Sequence, residues 1–403
     1  MTTTATANEL YYDPWDSKIR REPYPVYQRL REEAPLYYNE RHDFYVVSRF
    51  DDVERVLTDR ETFLSSRGVI LDVVKSGVEI PPGLFIFEDA PIHTIHRNLI
   101  SRVFTVKRMN AIEDQIRAYC ASILDPIVGT GQLDFVKDLG SMPMRVIGML
   151  LGIPENDQRG IRDQFDAVNE QKKGGPRHEQ SESAGFSLEL AGKVFTEYLD
   201  WRLKHPADDL MTQLVSVEFE DETGTTRKLS REEVIVYVMV IAGAGNDTTR
   251  RLIGWMGKTL ADYPDQRREL VDNPRLIPNA VEEMLRFEAP PYHIARFVAE
   301  DVEFHGQTVP KGGAIVVLPG AANRDPRRYV DGDVLNIHRD VTRIMTFGYG
   351  AHYCMGAPLA RLEGRIALEE VLRRFPSWEV DWANAKFSES AELRGWDSLP
   401  VFT

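Results

Sequence analysis

Apolar residues recur at helical spacing through most of the chain. The clearest stretches cover residues 24–33, 106–128, 186–204, 230–263 and 356–375, and each predicts a helix with a face or a whole girth to bury. Two-residue alternation is confined to three short segments, 44–48, 297–304 and 314–318. The last of these follows the turn Pro310-Lys311-Gly312-Gly313 and stops at Pro319, so all three predict strands. Residues 171–184 (QKKGGPRHEQSESA) are polar and loosely composed and read as a mobile surface loop between helices. There are no repeats, low-complexity tracts or Ser/Gly linkers. The pattern predicts a mainly α fold, one domain over residues 1–403 with small peripheral β-sheets and a loosely ordered tail at 1–12.

The 230–263 stretch carries more information than its length. Ser230 followed by Glu233 is a capping-box start, and the run would extend about 50 Å at about 1.5 Å per residue. From Val234 to Ile241 it is apolar on nearly all sides, which places it in the middle of the protein. Then comes Ala242-Gly243-Ala244-Gly245-Asn246-Asp247-Thr248-Thr249. Glycine costs about 1 kcal/mol relative to alanine in a helix interior, and an unpaired buried carboxylate costs more. A local rule broken inside a buried element marks a candidate site. The plain reading is a glycine-kinked core helix with Thr248 bonding back to the carbonyl four residues earlier.

A second unusual stretch is Phe347-Gly348-Tyr349-Gly350-Ala351-His352-Tyr353-Cys354-Met355-Gly356. It presents one thiol in a glycine-punctuated loop and opens directly into a helical pattern. A sulfur at a helix start feels the positive end of the dipole and nearby N–H groups, which favour its thiolate. The glycines at 348, 350 and 356 permit turns closed to other residues and a close approach to a flat ligand. A thiolate so held is a good axial ligand for haem iron. The alternative is a free cysteine packed as a small hydrophobe.

Composition narrows the field. The chain has 403 residues, 42% hydrophobic and 28% charged, as in ordinary globular proteins. Its two cysteines are too few for a disulfide framework, so Cys120 reads as a buried helix residue in a reducing compartment. A net charge of −14 argues against a nucleic-acid partner. Residues 1–16 are polar and lack the apolar core of a signal peptide or anchor. The longest apolar run, 234–244, is about half of a bilayer span. These features predict a cytoplasmic protein without a membrane anchor.

The spacing F-x-x-G-x-H-x-C-x-G at 347–356 resembles the haem-binding signature of the cytochrome P450 monooxygenases, soluble bacterial type, and the resemblance runs from about Asp13 to Pro400. It implies a triangular, single-domain, mostly α fold holding haem b, with Phe347, Gly348, Cys354 and Gly356 around the cofactor and Cys354 on the iron. Ala244-Gly245-Asn246-Asp247-Thr248 resembles the family's A-G-x-[D/E]-T motif. That likeness implies that Gly245 thins the helix for O2, that Thr248 hydrogen-bonds the oxygen and that Asp247 relays protons. His93-Thr94-Ile95-His96-Arg97 resembles H-x-x-x-R, and with Arg296 and His352 it implies four propionate contacts: His93, Arg97, Arg296 and His352. Glu283 and Arg286 resemble the buried structural pair E-x-x-R. The family's third partner, an arginine in a segment like D-P-D-R-F-D, is here Val334; Arg339 and Arg328 are the candidates to replace it.

The same resemblance places substrate against residues 69–87, Val240 to Ala244 with Thr248, 291–294, and Leu393. Ile80, Leu84, Phe85, Val240, Ala244, Tyr292, His293 and Leu393 are the candidate lining residues, and Tyr292 and His293 the polar anchors. The first segment is apolar for a loop, which suggests a bulky apolar substrate such as a terpenoid, steroid or branched lipid. The expected reaction is insertion of one atom of O2, as hydroxylation or epoxidation, by a monomer. Electrons would come from NAD(P)H through a ferredoxin reductase and an acidic ferredoxin docked on the basic residues Arg102, Lys107 and Arg108. Arg361 and Arg365 follow the cysteine loop nearby. Two other readings are a peroxide-driven haem enzyme, against which Asp247-Thr248 speaks, and a non-catalytic haem-binding gas sensor, which leaves that pair unexplained.

Overall fold

The computed structural model describes residues 10–80, 83–101, 104, 106–154, 158 and 195–403, with the backbone alone at 106, 107 and 110. The loop expected at 171–184 lies outside these residues, as does the first part of the helix expected at 186–204, which is helical from 195 to 204. Of the tail expected over 1–12, residues 1–9 lie outside the described residues, and Tyr12 is fully buried, packed on Tyr27 and Tyr292 with ring centroids 6.3 Å apart in each case.

The helical periodicity is realised as Tyr24–Glu33, Val106–Leu124, Arg231–Asp262 and Ala357–Arg374. The 106–128 stretch ends in a tighter turn at Asp125–Ile127, where Pro126 removes an N–H donor. The capping box forms: Ser230 Oγ accepts from Glu233 N–H at 3.2 Å, and the Glu233 carboxylate accepts from Ser230 N–H at 2.6 Å. Helix Arg231–Asp262 is the central element. It packs against Met142–Leu151, Ile277–Phe287 and Ala357–Arg374, and the large helical core forms around those contacts.

One five-stranded sheet stands beside this helical body, in the order Leu36–Asn39, Phe44–Val47, Ala314–Val317, Ile294–Val298, Phe63–Leu64. Ala314–Val317 is its middle strand, parallel to Phe44–Val47 and antiparallel to Ile294–Val298. All four of its residues are buried, which is why its sequence is continuously apolar. The two faces of the sheet bury separate clusters, one with Phe50, Phe63 and Met345, the other with Tyr12, Leu71 and Tyr292. The expected strand 297–304 is two strands. Ile294–Val298 belongs to the main sheet, and Val302–Phe304 pairs with Gln307–Val309. The polar residues between them turn the chain. The Glu300 carboxylate accepts from Thr62 Oγ1 at 3.1 Å and that of Asp301 from Lys311 N–H at 2.8 Å.

Candidate functional site

The cysteine loop closes on itself before the helix begins. Cys354 N–H donates to Phe347 O at 2.9 Å, Gly348 N–H to Met345 O at 2.9 Å, and Tyr353 N–H to Gly350 O at 3.1 Å. Gly348 and Gly350 stand at φ +67° and +72°, the left-handed region that excludes most side chains. Gly356 differs from expectation. Its φ is −76°, open to any residue, and a Cβ there would sit 3.7 Å from Cys354 Sγ, an ordinary contact. Cys354 is exposed, yet protein surrounds it closely enough that burial pushes its thiol pKa up. The N–H groups of Gly356 and Ala357 and the charges of Arg97 and Arg361 pull it back. The thiol therefore opens onto a cleft inside the molecule, at the start of helix Ala357–Arg374, as the sequence predicts.

Four cationic or imidazole groups converge beside it. Helix Ile92–Ser101 carries His93 and Arg97 on one face. The His93 ring stacks on His352 at 3.9 Å, and Arg97 Nη2 donates to Tyr353 O. Arg296 is buried on strand Ile294–Val298, and its Nη1 donates to Ala295 O at 2.8 Å. Burial holds Arg296 down to about 10 and His93 down to about 4, the latter helped by Arg97; burial, with His93 and both arginines, holds His352 down to about 3. Neither arginine has a carboxylate partner among the described residues, and His93 Nε2 is buried without any. Two unneutralised guanidinium groups and an orphaned imidazole nitrogen beside an accessible thiol fit a ligand with an acidic edge and a soft metal centre. Haem, with two propionates and an iron, is such a ligand.

The central helix turns one face toward open space. Val236, Val240 and Thr248 are half-buried and Ala244 is exposed, at four-residue spacing, and Ile235, Met239 and Gly243 beside them are half-buried too. Thr248 Oγ1 donates to Ala244 O at 2.7 Å, the back-bonded arrangement, so its hydroxyl must turn to serve a ligand. Asp247 is buried but not unpaired: Arg250 Nη2 lies 2.6 Å and Arg251 Nη2 3.6 Å from its Oδ1. The expected cost of a lone buried acid is thus offset by two arginines of the same helix. Gly245 answers to packing. A Cβ there would meet Ile147 Cδ1 at 2.8 Å, so the small residue lets Met142–Leu151 close on the central helix.

A model of the family described as "Cytochrome P450" matches residues 188–386. Over the full length the chain is similar to putative cytochrome P450 123 of Mycobacterium tuberculosis, 35% identical over 100% of this chain and 99% of that protein. The chain is a cytochrome P450. It is also 33% identical to the vitamin D(3) 25-hydroxylase of Pseudonocardia autotrophica, covering 100% of this chain and 98% of that protein. Among solved structures it resembles the cytochrome P450 enzyme CYP109E1 from Bacillus megaterium in complex with corticosterone. That likeness has a TM-score of 0.82 and 28% identity over 96% of this chain and 99% of the other. The fold, the monooxygenase class and haem b as cofactor follow from this membership.

In this cytochrome P450 the pair Glu283–Arg286 is fully buried, with Arg286 Nε and Nη2 donating to the two carboxylate oxygens at 2.6 and 2.8 Å. The third partner is Arg339, whose Nε donates to Glu283 Oε1 at 3.2 Å. Arg328 instead reaches Thr342 at 3.2 Å, and the Val334 side chain is exposed. Asn323, which no motif or spacing singles out, links this network to the cysteine loop. Its carbonyl accepts from Arg286 at 2.8 Å, its Nδ2 donates to Thr346 Oγ1 at 2.8 Å, and its Oδ1 accepts from Met345 N–H at 2.7 Å.

The candidate lining residues divide. Leu84 and Phe85 are buried, with the Phe85 ring 5.7 Å from Tyr237 of the central helix, while Ile80 and Leu393 are half-buried. Leu393 forms a β-bridge with Pro291. Tyr292 is a correction: it is fully buried between Tyr12 and Tyr27 on the sheet, so it offers no anchor to a ligand in an open cleft. His293 is buried with Nδ1 unpartnered. The basic cluster also changes character. Arg102 and the Lys107 side chain lie outside the described residues, and Arg108 turns to Asp208 at 3.7 Å and Gln213 at 3.2 Å. Arg361 is paired with Glu282, and Arg365 with Glu113 at 2.7 Å and Glu369 at 3.1 Å. No helix among the described residues is long and apolar enough to cross a membrane.

Proposed function

We propose that this cytochrome P450 hydroxylates or epoxidises a bulky apolar small molecule of steroid or terpenoid type, with electrons delivered by a ferredoxin. Haem held by Cys354 supplies the oxidising chemistry when bound. The protein's part is to seat the propionates on Arg97, Arg296, His93 and His352, and to exclude water with the apolar 83–87 segment. A proton is moved by Thr248 and Asp247. The observation that carries the substrate class is the apolar wall made by Leu84, Phe85, half-buried Val236 and Val240, and exposed Ala244, which offers area rather than charge. The acts of the relatives, on vitamin D(3) in one and with corticosterone bound in another, support the same class. The position of Arg97 and Arg296 beside the cysteine loop supports their use for the propionates rather than for a substrate carboxylate.

Two measurements test this. Reduced protein under CO should show a Soret band far to the red of a histidine-ligated haem, because thiolate donates more electron density. Cys354→Ala that keeps the band refutes the ligand assignment. Titration with steroids should give a saturable spectral shift, whereas shifts only with charged ligands refute the substrate class.

A further inference from the structure

His93 and Arg97 account for two positions of their helix, but a third residue between them, His96, is buried more deeply than a surface helix requires. Its Nδ1 lies 2.8 and 3.0 Å from the two oxygens of the Glu88 carboxylate, with both side chains nearly inaccessible, 6% and 12%. A carboxylate facing Nδ1 fixes the proton on that nitrogen. The imidazole then stands edge-on to Tyr237 of the central helix at 5.7 Å and to Phe219 at 6.3 Å. Its Nε2 is buried without a partner among the described residues, as is the Tyr237 hydroxyl.

Glu88 itself ends the apolar segment. Its carboxylate also accepts Gly83 N–H at 3.2 Å, which pins the point where the chain reverses at φ +92°. A Cβ at Gly83 would come within 3.8 Å of Val236 on the open face of the central helix. Between the two pinned ends lie Leu84 and Phe85, and Phe85 returns to Tyr237 at 5.7 Å. The segment is thus held as a closed ring: Glu88 to His96, His96 to Tyr237, Tyr237 to Phe85. On its other side the Glu88 backbone faces the His352 ring, so the same residue joins the apolar segment to the cysteine loop.

We propose that His96 and Glu88 form a clasp that fixes residues 83–88 over the open face of the central helix and so sets which apolar molecules are admitted. They are positioning residues, acting through Leu84 and Phe85. The specificity half of the proposal rests on the substrate reading above; the clasp itself does not. A buried hydrogen bond to a charged acceptor is among the stronger single contacts in a fold, and removing its donor leaves the carboxylate to find water by opening the segment.

The test uses haem-loaded protein and three variants: His96→Phe, which keeps the packing on Tyr237 and removes the donor, Glu88→Gln, which keeps a hydrogen-bonding partner, and the double variant Glu88→Leu/His96→Phe. Amide hydrogen exchange over residues 83–88 should rise about tenfold or more in His96→Phe, equivalent to about 1.4 kcal/mol. The rise should be smaller in Glu88→Gln and at least as large in the double variant, which also releases Gly83 N–H. Spectral titrations with a monocyclic terpene and a steroid should show the ratio of their Kd values falling toward one in His96→Phe. Unchanged exchange in His96→Phe overturns the clasp, and changed exchange with an unchanged Kd ratio overturns its role in selection. A wild type that responds to neither ligand refutes the substrate reading and the specificity half with it, while the exchange data still judge the clasp.

Discussion

Arg339→Ala measures whether this chain has rebuilt its buried network with an arginine from another position. Glu283 has four donors: Arg286 Nε at 2.6 Å and Nη2 at 2.8 Å, Asn336 N–H at 2.9 Å, and Arg339 Nε at 3.2 Å. The substitution removes the longest of these. Three carbonyls, of Val330, Asp331 and Val334, also lose a donor, but they sit at an exposed rim where water replaces it. A hydrogen bond to a charged group is worth about 1.5–3 kcal/mol, and that is the expected loss. Arg286→Ala should cost about 3–5 kcal/mol, because it leaves a buried carboxylate short of its main counter-charge. Arg328→Ala, whose guanidinium reaches Thr342, the ring of Phe50 and the Tyr329 hydroxyl but no carboxylate among the described residues, should stay within about 0.5 kcal/mol. Urea unfolding followed by far-UV circular dichroism, with haem absorbance as a second probe on the same samples, ranks the three. The reasoning fails if Arg339→Ala falls with Arg328→Ala, or if Arg328→Ala is the more damaging of the two.

Three further outcomes follow from single residues. Thr248→Ala should divert reducing equivalents from product to hydrogen peroxide, since general acid assistance contributes about 10²–10⁴-fold; unchanged product per electron pair removes Thr248 from proton delivery. Burial holds His293 down to about 4, below the ordinary imidazole value of about 6.5, so the unfolded chain takes up the proton first as pH falls. Its contribution to stability is intact above about pH 6.5 and is lost toward pH 4, about 3 kcal/mol in all at about 1.36 kcal/mol per pH unit. His293→Gln should flatten that acid slope in denaturation midpoints, and an unaltered slope counts against it. Burial pushes the Glu363 carboxyl well above the usual range, and its Oε2 has no partner. The folded state therefore keeps a proton that the unfolded state releases, which costs stability as pH rises above the unfolded value. Glu363→Gln should gain in melting temperature over the parent from pH 5 to pH 8; a gain independent of pH would contradict this account.

What the sequence determined by itself was whatever depends on neighbours along the chain. The Ser230–Glu233 cap, the positive-φ turns at Gly348 and Gly350, the helix opening after Cys354, and the i, i+3 pair Glu283–Arg286 all act within a turn or two of backbone. Their residue types report them directly, and the family likeness rests on the same local spacings. The tertiary structure decided everything that needs a partner from a distant segment. Arg339 rather than Arg328 reaches Glu283 because the chain between 330 and 339 folds back over it. Gly245 is small because Ile147 lies against it, Asp247 is neutralised by two arginines a turn further along a buried helix, and Tyr292 is committed to Tyr12 and Tyr27. His96 takes its part only because the fold brings Glu88 and Tyr237 beside it. No periodicity carries such information, because it arises only when burial removes water and leaves each polar group to be satisfied by whatever the fold has placed within reach.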